Sequence, residues 1–595
     1  MRKKLRRNEV KMNKEWSLDV LYKGFDDVKY QQDKEELENL TTEIKAFSET
    51  LKSGPLKDEN LVKAVKYLER YHVLSYSLIT YTVLNQCANT SDSEITNQVN
   101  AIERKVSEAS KPLTAIKKYI ARAENLQEVF GKYPELKGYE FILSEIKEDA
   151  KHLLDDDVED VIAKLNISAG SAWNSMQSFL TSTLEVEYRG QTITLPEVRN
   201  LAHDKDPAVR KEAYEAELKA LEKIKDAVSF SLNNIKTQVN TISDMRGYQS
   251  PLEMTLTQSR MKKETLDALL QAIREYLPVF RKYLKHKAKV LGHSNGLPWY
   301  DLLAPMGESS RKYTVEEAKD YLIRHFSNFS QDEADMMKEA FDHDWIDFYP
   351  RKGKVGGAFC ENIPFVKQSR ILTNFTGNFG DIVTLAHELG HAYHGMMIQD
   401  HLPLNTDYSM PVAETASTFN EAIVMESAIK EADSKEKLAL IEDQLQNVTQ
   451  IIVDIYSRYL FESAVFEKSR EGFLFADQLN EIMLDAQRES YGDGLDPNFM
   501  HPYMWVVKSH YYSEDLSFYN FPYAFGGLFA RGLYEKYKTE GEAFLPKYRA
   551  LLKATTVMTV EDAAKQAEID LEDPEFWRIS LHSYEGLIEE FIKLS

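Results

Sequence analysis

The chain predicts a mainly α, multi-helical protein of two lobes, with one small β-sheet packed beside a central helix. Three observations carry that expectation. At 595 residues it is longer than a single hydrophobic core usually supports. Apolar residues recur at helical spacing through most of its length. Only two stretches, Thr183–Leu195 and Lys352–Phe375, carry the alternation and glycine content of strands and turns.

Taken in order, Leu61 to Gln86 spaces Leu, Tyr and Val as an amphipathic helix, and Ile95 to Ala123 predicts another with a break near Pro112. Tyr139 to Leu165 continues the theme, and its acidic run Asp155-Asp156-Asp157 fits a solvated helix face. Thr183–Leu195 alternates around Arg189-Gly190, a hairpin signal ended by Pro196. Asp206-Pro207 then supplies an N-cap and a first-position proline for a helix expected to reach Asp244. These signals put a lobe boundary at about residue 200. They divide the chain into an N-terminal helical domain, 1–200, and a second domain, 201–595, with helices of the two intermixing. Lys263 to Leu291 and Lys435 to Arg470 predict long helices, and on the latter Arg458 and Glu462, four apart, are expected to pair. Leu297–Leu302 has the look of an aromatic anchor between helices, while Asn480–Glu489 and Val560–Glu572 read as scaffold.

Composition narrows the function. A hydrophobic content of 43% with 28% charged residues is that of a globular protein, and 32 Tyr with 28 Phe supply aromatic material for cores and clefts. The formal charge of −22 argues against a nucleic-acid partner, which would need a basic patch. Cys87 and Cys360 are the only cysteines, too few for a disulfide framework and consistent with a reducing compartment. Cys360 has no neighbouring His-based pattern that would make it a nucleophile. The segment Met1–Lys14 is basic but no apolar run follows it, unlike a signal peptide. No stretch approaches the roughly 18 apolar residues of a membrane span. The expectation is a cytoplasmic protein with no membrane partner.

The most informative stretch is His387-Glu388-Leu389-Gly390-His391. On a helix its two histidines share one face and can reach one metal ion, while Glu388 beside them can hold and deprotonate a water in the open coordination position. Asp381, near the start of this helix, is a candidate N-cap. Val412–Glu421 predicts a second helix after a loop containing Pro403 and Pro411, and Glu414 on it is the candidate third ligand. Two His and one Glu form a standard catalytic zinc set, so one Zn2+ per chain is expected. Glu421 would either orient a ligand histidine as a hydrogen-bond acceptor or be an ordinary surface glutamate. His394 belongs either to the site wall or, more simply, to the packing.

The run Asp381–His394, the helix Ala413–Thr418, the upstream Arg370–Phe375 and the downstream Arg458–Glu462 together resemble the oligoendopeptidase F branch of the thimet oligopeptidase-like zinc metallopeptidases. The similarity spans roughly residues 350–530. It implies a deep substrate channel between helical lobes, short unstructured oligopeptides as substrates and internal bonds as targets. In the related peptidases a histidine precedes a paired-tyrosine segment at the spacing of His510 and Tyr519. The second family tyrosine falls one position from Tyr523, at Pro522, so the division of roles between the two tyrosines stays open. Tyr519, His510 and Tyr523 are therefore the candidate donors to the oxyanion, the alternative being tyrosines packed among other aromatics.

The glycine-rich Lys352–Cys360 precedes the strand-like Ser369–Phe375. Gly356, Gly357, Ile371 and Thr373 are expected to offer a peptide an exposed strand edge, against the simpler alternative of a hairpin turn. The Gly-Lys-Ser/Thr ending of a phosphate loop is missing. Two rivals remain: a carboxypeptidase-type exopeptidase with the same zinc chemistry, marked by a cleft cation for the terminal carboxylate, and a non-catalytic helical peptide-binding protein.

Overall fold

The computed structural model of the protein describes residues 13–52, 55–307 and 311–595. The basic segment Met1–Lys14 lies outside them except for Asn13 and Lys14. Helices dominate, and most lie where apolar periodicity put them. Asp58–Ala88 is one helix. Ser93–Ser107 and Ser110–Ala121 meet two residues before Pro112, which sits in the first turn of the second helix, where its missing N–H leaves no bond unmade. The stretch read from Tyr139 to Leu165 is two helices, Glu140–Ala150 and Asp156–Asn166. The acidic run breaks it, because Asp155 takes the N-cap position and Asp156 and Asp157 the first turn, where the helix dipole favours negative charge.

The hairpin forms as spaced: β1 (Glu185–Tyr188) pairs antiparallel with β2 (Gln191–Thr194). Its two turn residues, Arg189 at φ 49° and Gly190 at φ 76°, carry the positive φ that a tight hairpin requires. Asp206 caps the next helix and Pro207 opens it, but this helix ends at Leu221. A second, Lys225–Met245, follows and turns Val228, Leu232, Ile235 and Val239 into the core.

The predicted spine from Lys435 to Arg470 is Ser434–Thr449, a π-helical turn at Gln450–Asp454, then Ile455–Ser469. The expected Arg458–Glu462 pair is not made. Arg458 instead holds Asp454 at 2.5 Å and Asn520 at 3.1 Å, and Glu462 accepts a hydrogen bond from Lys236 at 2.7 Å. All four charges are buried, and each takes the counter-charge that its own surroundings bring into contact.

The second sheet has the order β3-β5-β4. β3 (Ile346–Asp347) runs parallel to β5 (Gln368–Leu372), and β4 (Phe359–Ile363) antiparallel to it. This corrects the expected binding edge. β5 is the central strand: Ile371 is paired with Ile346 on one side and Cys360 on the other, and it is fully buried. Thr373 is buried too, its N–H donating to the Asp347 carbonyl at 2.9 Å. The outer strands are β3, only two residues long, and β4, which is reached through the exposed Gly356 and Gly357.

Two hydrophobic cores result. One gathers residues from Trp16 to Ile146, the other from Leu184 to Phe591. The sheet serves both, giving Ile363 and Leu372 to the first and Ile346 and Ile371 to the second. Among the described residues no helix is long and apolar enough to cross a membrane.

The Lys236–Glu462 pair is almost wholly buried, at 1% exposure for each side chain. Replacing Lys236 by Met leaves an uncompensated carboxylate and should destabilise the protein by about 3–5 kcal/mol, while Lys236→Met with Glu462→Leu should recover most of that loss. Denaturant titration of both variants against wild type is the check.

Candidate active site

The helix Phe379–Ile398 carries the two motif histidines. Its N-cap is Asn378 rather than Asp381. Asp381 sits three residues on and accepts from the backbone N–H groups of Thr376 (2.7 Å) and Asn378 (3.0 Å), the acid of a capping box. One face of this helix packs against the helix Thr415–Glu431 at the closest range a backbone permits. A Cβ on Gly390 would lie 2.6 Å from the Ala416 carbonyl oxygen, so only glycine lets the two axes cross there. Asn420 fixes the crossing by donating to the Ala386 carbonyl (3.1 Å) and to Glu333 (2.8 Å).

The crossing brings three donors together. Glu414 is not inside the second helix, as the sequence suggested. It lies at the junction between the short turn Met410–Ala413 and Thr415–Glu431, so its side chain leaves the helix end toward the histidines. His387 Nε2 and His391 Nε2 are 3.2 Å apart, and Glu414 Oε2 is 3.3 and 3.4 Å from them. A tetrahedral ion with ligands at ~2.0–2.1 Å spaces its donors by ~3.3 Å. These residues therefore fit a zinc-like ion by distance as well as by donor chemistry, and their side chains retain partial exposure.

The outer contacts suit the same role. Glu421 accepts a hydrogen bond from His387 Nδ1 at 2.5 Å, which turns Nε2 inward, and Ser417 donates to Glu414 at 2.7 Å. Burial pulls the His387 imidazole down, but its hydrogen bonds with Glu414 and Glu421 outweigh that and hold it at about 10. Burial and the neighbouring His387 drop His391 to about 4. Glu414 is held at about 2 by the two histidines, against the effect of burial. Glu388 is pushed up to about 7 by burial, with His387 opposing and Glu414 and Glu421 reinforcing. Three carboxylates around two imidazoles leave the cluster short of positive charge, which a divalent cation would supply.

His510, Tyr519 and Tyr523 form one aromatic cluster. The His510 ring stacks on Tyr519 at 5.1 Å, and Tyr523 meets both edge-on at 5.8 and 5.7 Å. Burial and then the charges of Arg458 and Lys508 lower His510 to about 4, so it would donate as neutral imidazole rather than imidazolium. Burial and a hydrogen bond with Tyr519 raise Tyr523 well above its ordinary range, and Glu414 adds to the effect. Tyr523 thus stays a protonated donor within electrostatic reach of Glu414. Pro522 stands in the first turn of the helix Phe521–Glu540, whose Gly526 packs against the Glu414 side chain.

Other residues settle into structural places. His394 is buried, bonded to Thr555 at 2.8 Å and stacked on Tyr408 at 4.3 Å, so it is packing and not site wall. Tyr511 and Tyr512 are fully buried. Cys360 is an inert thiol, raised well above its usual value by burial and by Glu388 and Glu361. Two contributors escaped the sequence reading: Asn420, and Asn362, which donates to the His391 carbonyl at 3.1 Å. Supporting amides carry no spacing signal. Gly390, a glycine inside a helical pattern, did carry one.

Comparisons with known proteins identify the family. The model for peptidase family M3 matches residues 200–582, and the model for oligopeptidase F matches residues 121–185. Oligopeptidase PepF of Bacillus subtilis (strain 168) is 26% identical over 99% of this chain and 88% of its own length. An oligoendopeptidase F homolog of Borreliella burgdorferi is 23% identical over 99% of this chain and 100% of its own. Among solved structures, a putative peptidase from Chlamydophila abortus superposes with a TM-score of 0.81 at 19% identity, covering 98% of each chain. Oligoendopeptidase-F from Enterococcus faecium gives 0.71 at 19% identity, over 95% of this chain and 99% of that one.

Substituting Glu421 by Gln should weaken binding of a divalent ion about 10- to 100-fold, read by competition with a chromogenic chelator. Gly390→Ala should destabilise the fold by about 1–3 kcal/mol through the forced helix separation, read by denaturant titration.

Proposed function

The chain belongs to peptidase family M3, in its oligoendopeptidase F branch, and on that footing we propose that it is a zinc-dependent endopeptidase cutting internal bonds of short unstructured peptides. The single observation that carries the proposal is the triangle of His387, His391 and Glu414, with edges of 3.2–3.4 Å and Glu388 beside it. These three residues would hold a zinc ion, which would supply Lewis acidity to the scissile carbonyl and to the attacking water.

Glu388 is the general base. It takes one proton from the attacking water as the new C–O bond forms, then passes that proton to the amine nitrogen as the C–N bond breaks. A carboxyl terminus and a free amine result. Tyr519 and Tyr523, with the neutral His510, donate hydrogen bonds to the oxygen that gains charge in between. The substrate backbone lies extended along β4, entering past Gly356 and Gly357, in a channel between the lobes. The names of the relatives, oligopeptidase and oligoendopeptidase, support short peptides as substrates. A cytoplasmic location belongs to the same proposal, on the strength of two free cysteines.

One observation favours the exopeptidase rival. Lys508, two residues before His510, is a half-buried ammonium with no hydrogen bond or ion pair among the described residues, lowered to about 8 by burial and by Arg458. A terminal carboxylate would neutralise it.

An end-blocked peptide of about ten residues, long enough to span roughly 33 Å when extended, separates the two. Wild type should cut it internally, and Glu388→Gln at equal zinc content should be slower by about 10²–10⁴-fold, with fragments mapped by mass spectrometry. Trimming confined to the free-ended peptide would establish the exopeptidase instead. Inertness toward both peptides in a zinc-loaded protein would sink the proposal.

A further inference from the structure

The segment Ser513–Asn520 connects His510 to Tyr519, and its backbone is strained at one place. Phe518, a bulky aromatic, sits at φ 54°, in the left-handed region that such residues rarely enter. Strain of this kind persists only where the surroundings over-determine it, and here they do so on both sides of the residue. The Phe518 ring is buried against Phe466 (5.3 Å) and Tyr459 (5.7 Å), and Thr255 donates to the preceding Ser517 carbonyl at 3.0 Å. Asn520 accepts from Arg458 at 3.1 Å. Tyr519 emerges between these two anchors.

The start of the segment is tied to a distant part of the chain. Glu514 Oε1 accepts hydrogen bonds from Ser171 Oγ at 2.7 Å and Asn166 Nδ2 at 3.2 Å. Asn166 is itself held by Gln238 at 2.7 Å. Gly170 leaves the room: a Cβ there would come within 2.6 Å of Glu514 Cβ. Asn166, Gly170 and Ser171 form the elbow between helices Asp156–Asn166 and Gly170–Ser182, and Gln238 braces it from the helix Lys225–Met245. The elbow lies in the stretch matched by the oligopeptidase F model, ahead of the one matched by family M3.

We propose that Glu514 is a positioning residue. Its carboxylate, gripped by Ser171 and Asn166, clamps the strained segment to the helical elbow and keeps Tyr519 and His510 aimed at the reacting carbonyl. The proposal rests on the peptidase function proposed above. It assigns the elbow a part in the reaction although no elbow residue touches the substrate. Releasing the clamp would leave Tyr519 held only by the two anchors beside it, Thr255 at Ser517 and Arg458 at Asn520, with the start of the segment free to shift.

The test compares wild type with Ser171→Ala, Glu514→Ala, their double variant and Glu514→Gln, each checked for zinc content and thermal midpoint. Ser171→Ala removes a single oxygen and guards against loss of folding. Ser171→Ala and Glu514→Ala should each lower kcat about tenfold, with KM within about twofold, and the double variant should fall no further than Glu514→Ala. Glu514→Gln, whose amide oxygen still accepts from Ser171, should retain activity within about twofold of wild type. Amide hydrogen exchange across 513–520 should quicken about tenfold in Ser171→Ala and Glu514→Ala and stay unchanged across 387–391. Unchanged kcat and exchange in both single variants would overturn the clamp. So would multiplicative losses in the double variant, or activity that falls only in step with thermal stability or zinc content. Exchange needs no substrate, so a wild type inert toward every peptide would count against the peptidase function alone, and the loop measurement would still decide the clamp.

Discussion

Everything at the site depends on how closely two helices can approach. The absence of a side chain at Gly390 lets Phe379–Ile398 lie against the backbone of Ala416 and Ser417, and that contact sets where Glu414 can stand. Hydrophobic packing alone would tolerate an axis shift of an ångström. A set of three donors with 3.2–3.4 Å edges would not, because ligand geometry around a small dication is stiff. Asn420 reinforces the glycine by tying the two backbones through a buried amide. The helix break at Glu414 completes the arrangement, freeing the carboxylate to point along the helix end rather than across its flank.

Around this crossing the protein spends charge in pairs. Lys236 with Glu462, Lys287 with Glu442, Arg210 with Asp301 and Arg458 with Asp454 are all buried pairs of opposite sign. The cluster at His387 is different, since its carboxylates outnumber its possible cations. The contrast separates a structural use of buried charge from a site that awaits a ligand.

Much of this was legible in the sequence, and what was not has physical reasons. Cap residues and apolar periodicity gave the helices, and Arg189-Gly190 gave the hairpin, because both signals are local. Asp381 was misplaced by three residues because a capping box sets its acid three residues past the N-cap, here Asn378. The pairing of Arg458 with Glu462 failed because Arg458 has a second acid, Asp454, four residues before it, and because Lys236 reaches Glu462 from another helix, which spacing on one helix does not announce. The strand edge was assigned to Ile371 and Thr373 for a similar cause: strand order is a non-local property, and β3 supplies only two residues to announce it. The metal ligands could be found because the chemistry demands particular residue types, whereas a supporting amide such as Asn362 is one choice among several.

The small sheet is a party wall. Along β5, successive side chains enter opposite rooms, Ile371 in one core and Leu372 in the other, and β4 sends Ile363 across the same boundary. Neither core can melt without stripping one face of that wall, so the two share a common fate although their residues are almost separate in sequence.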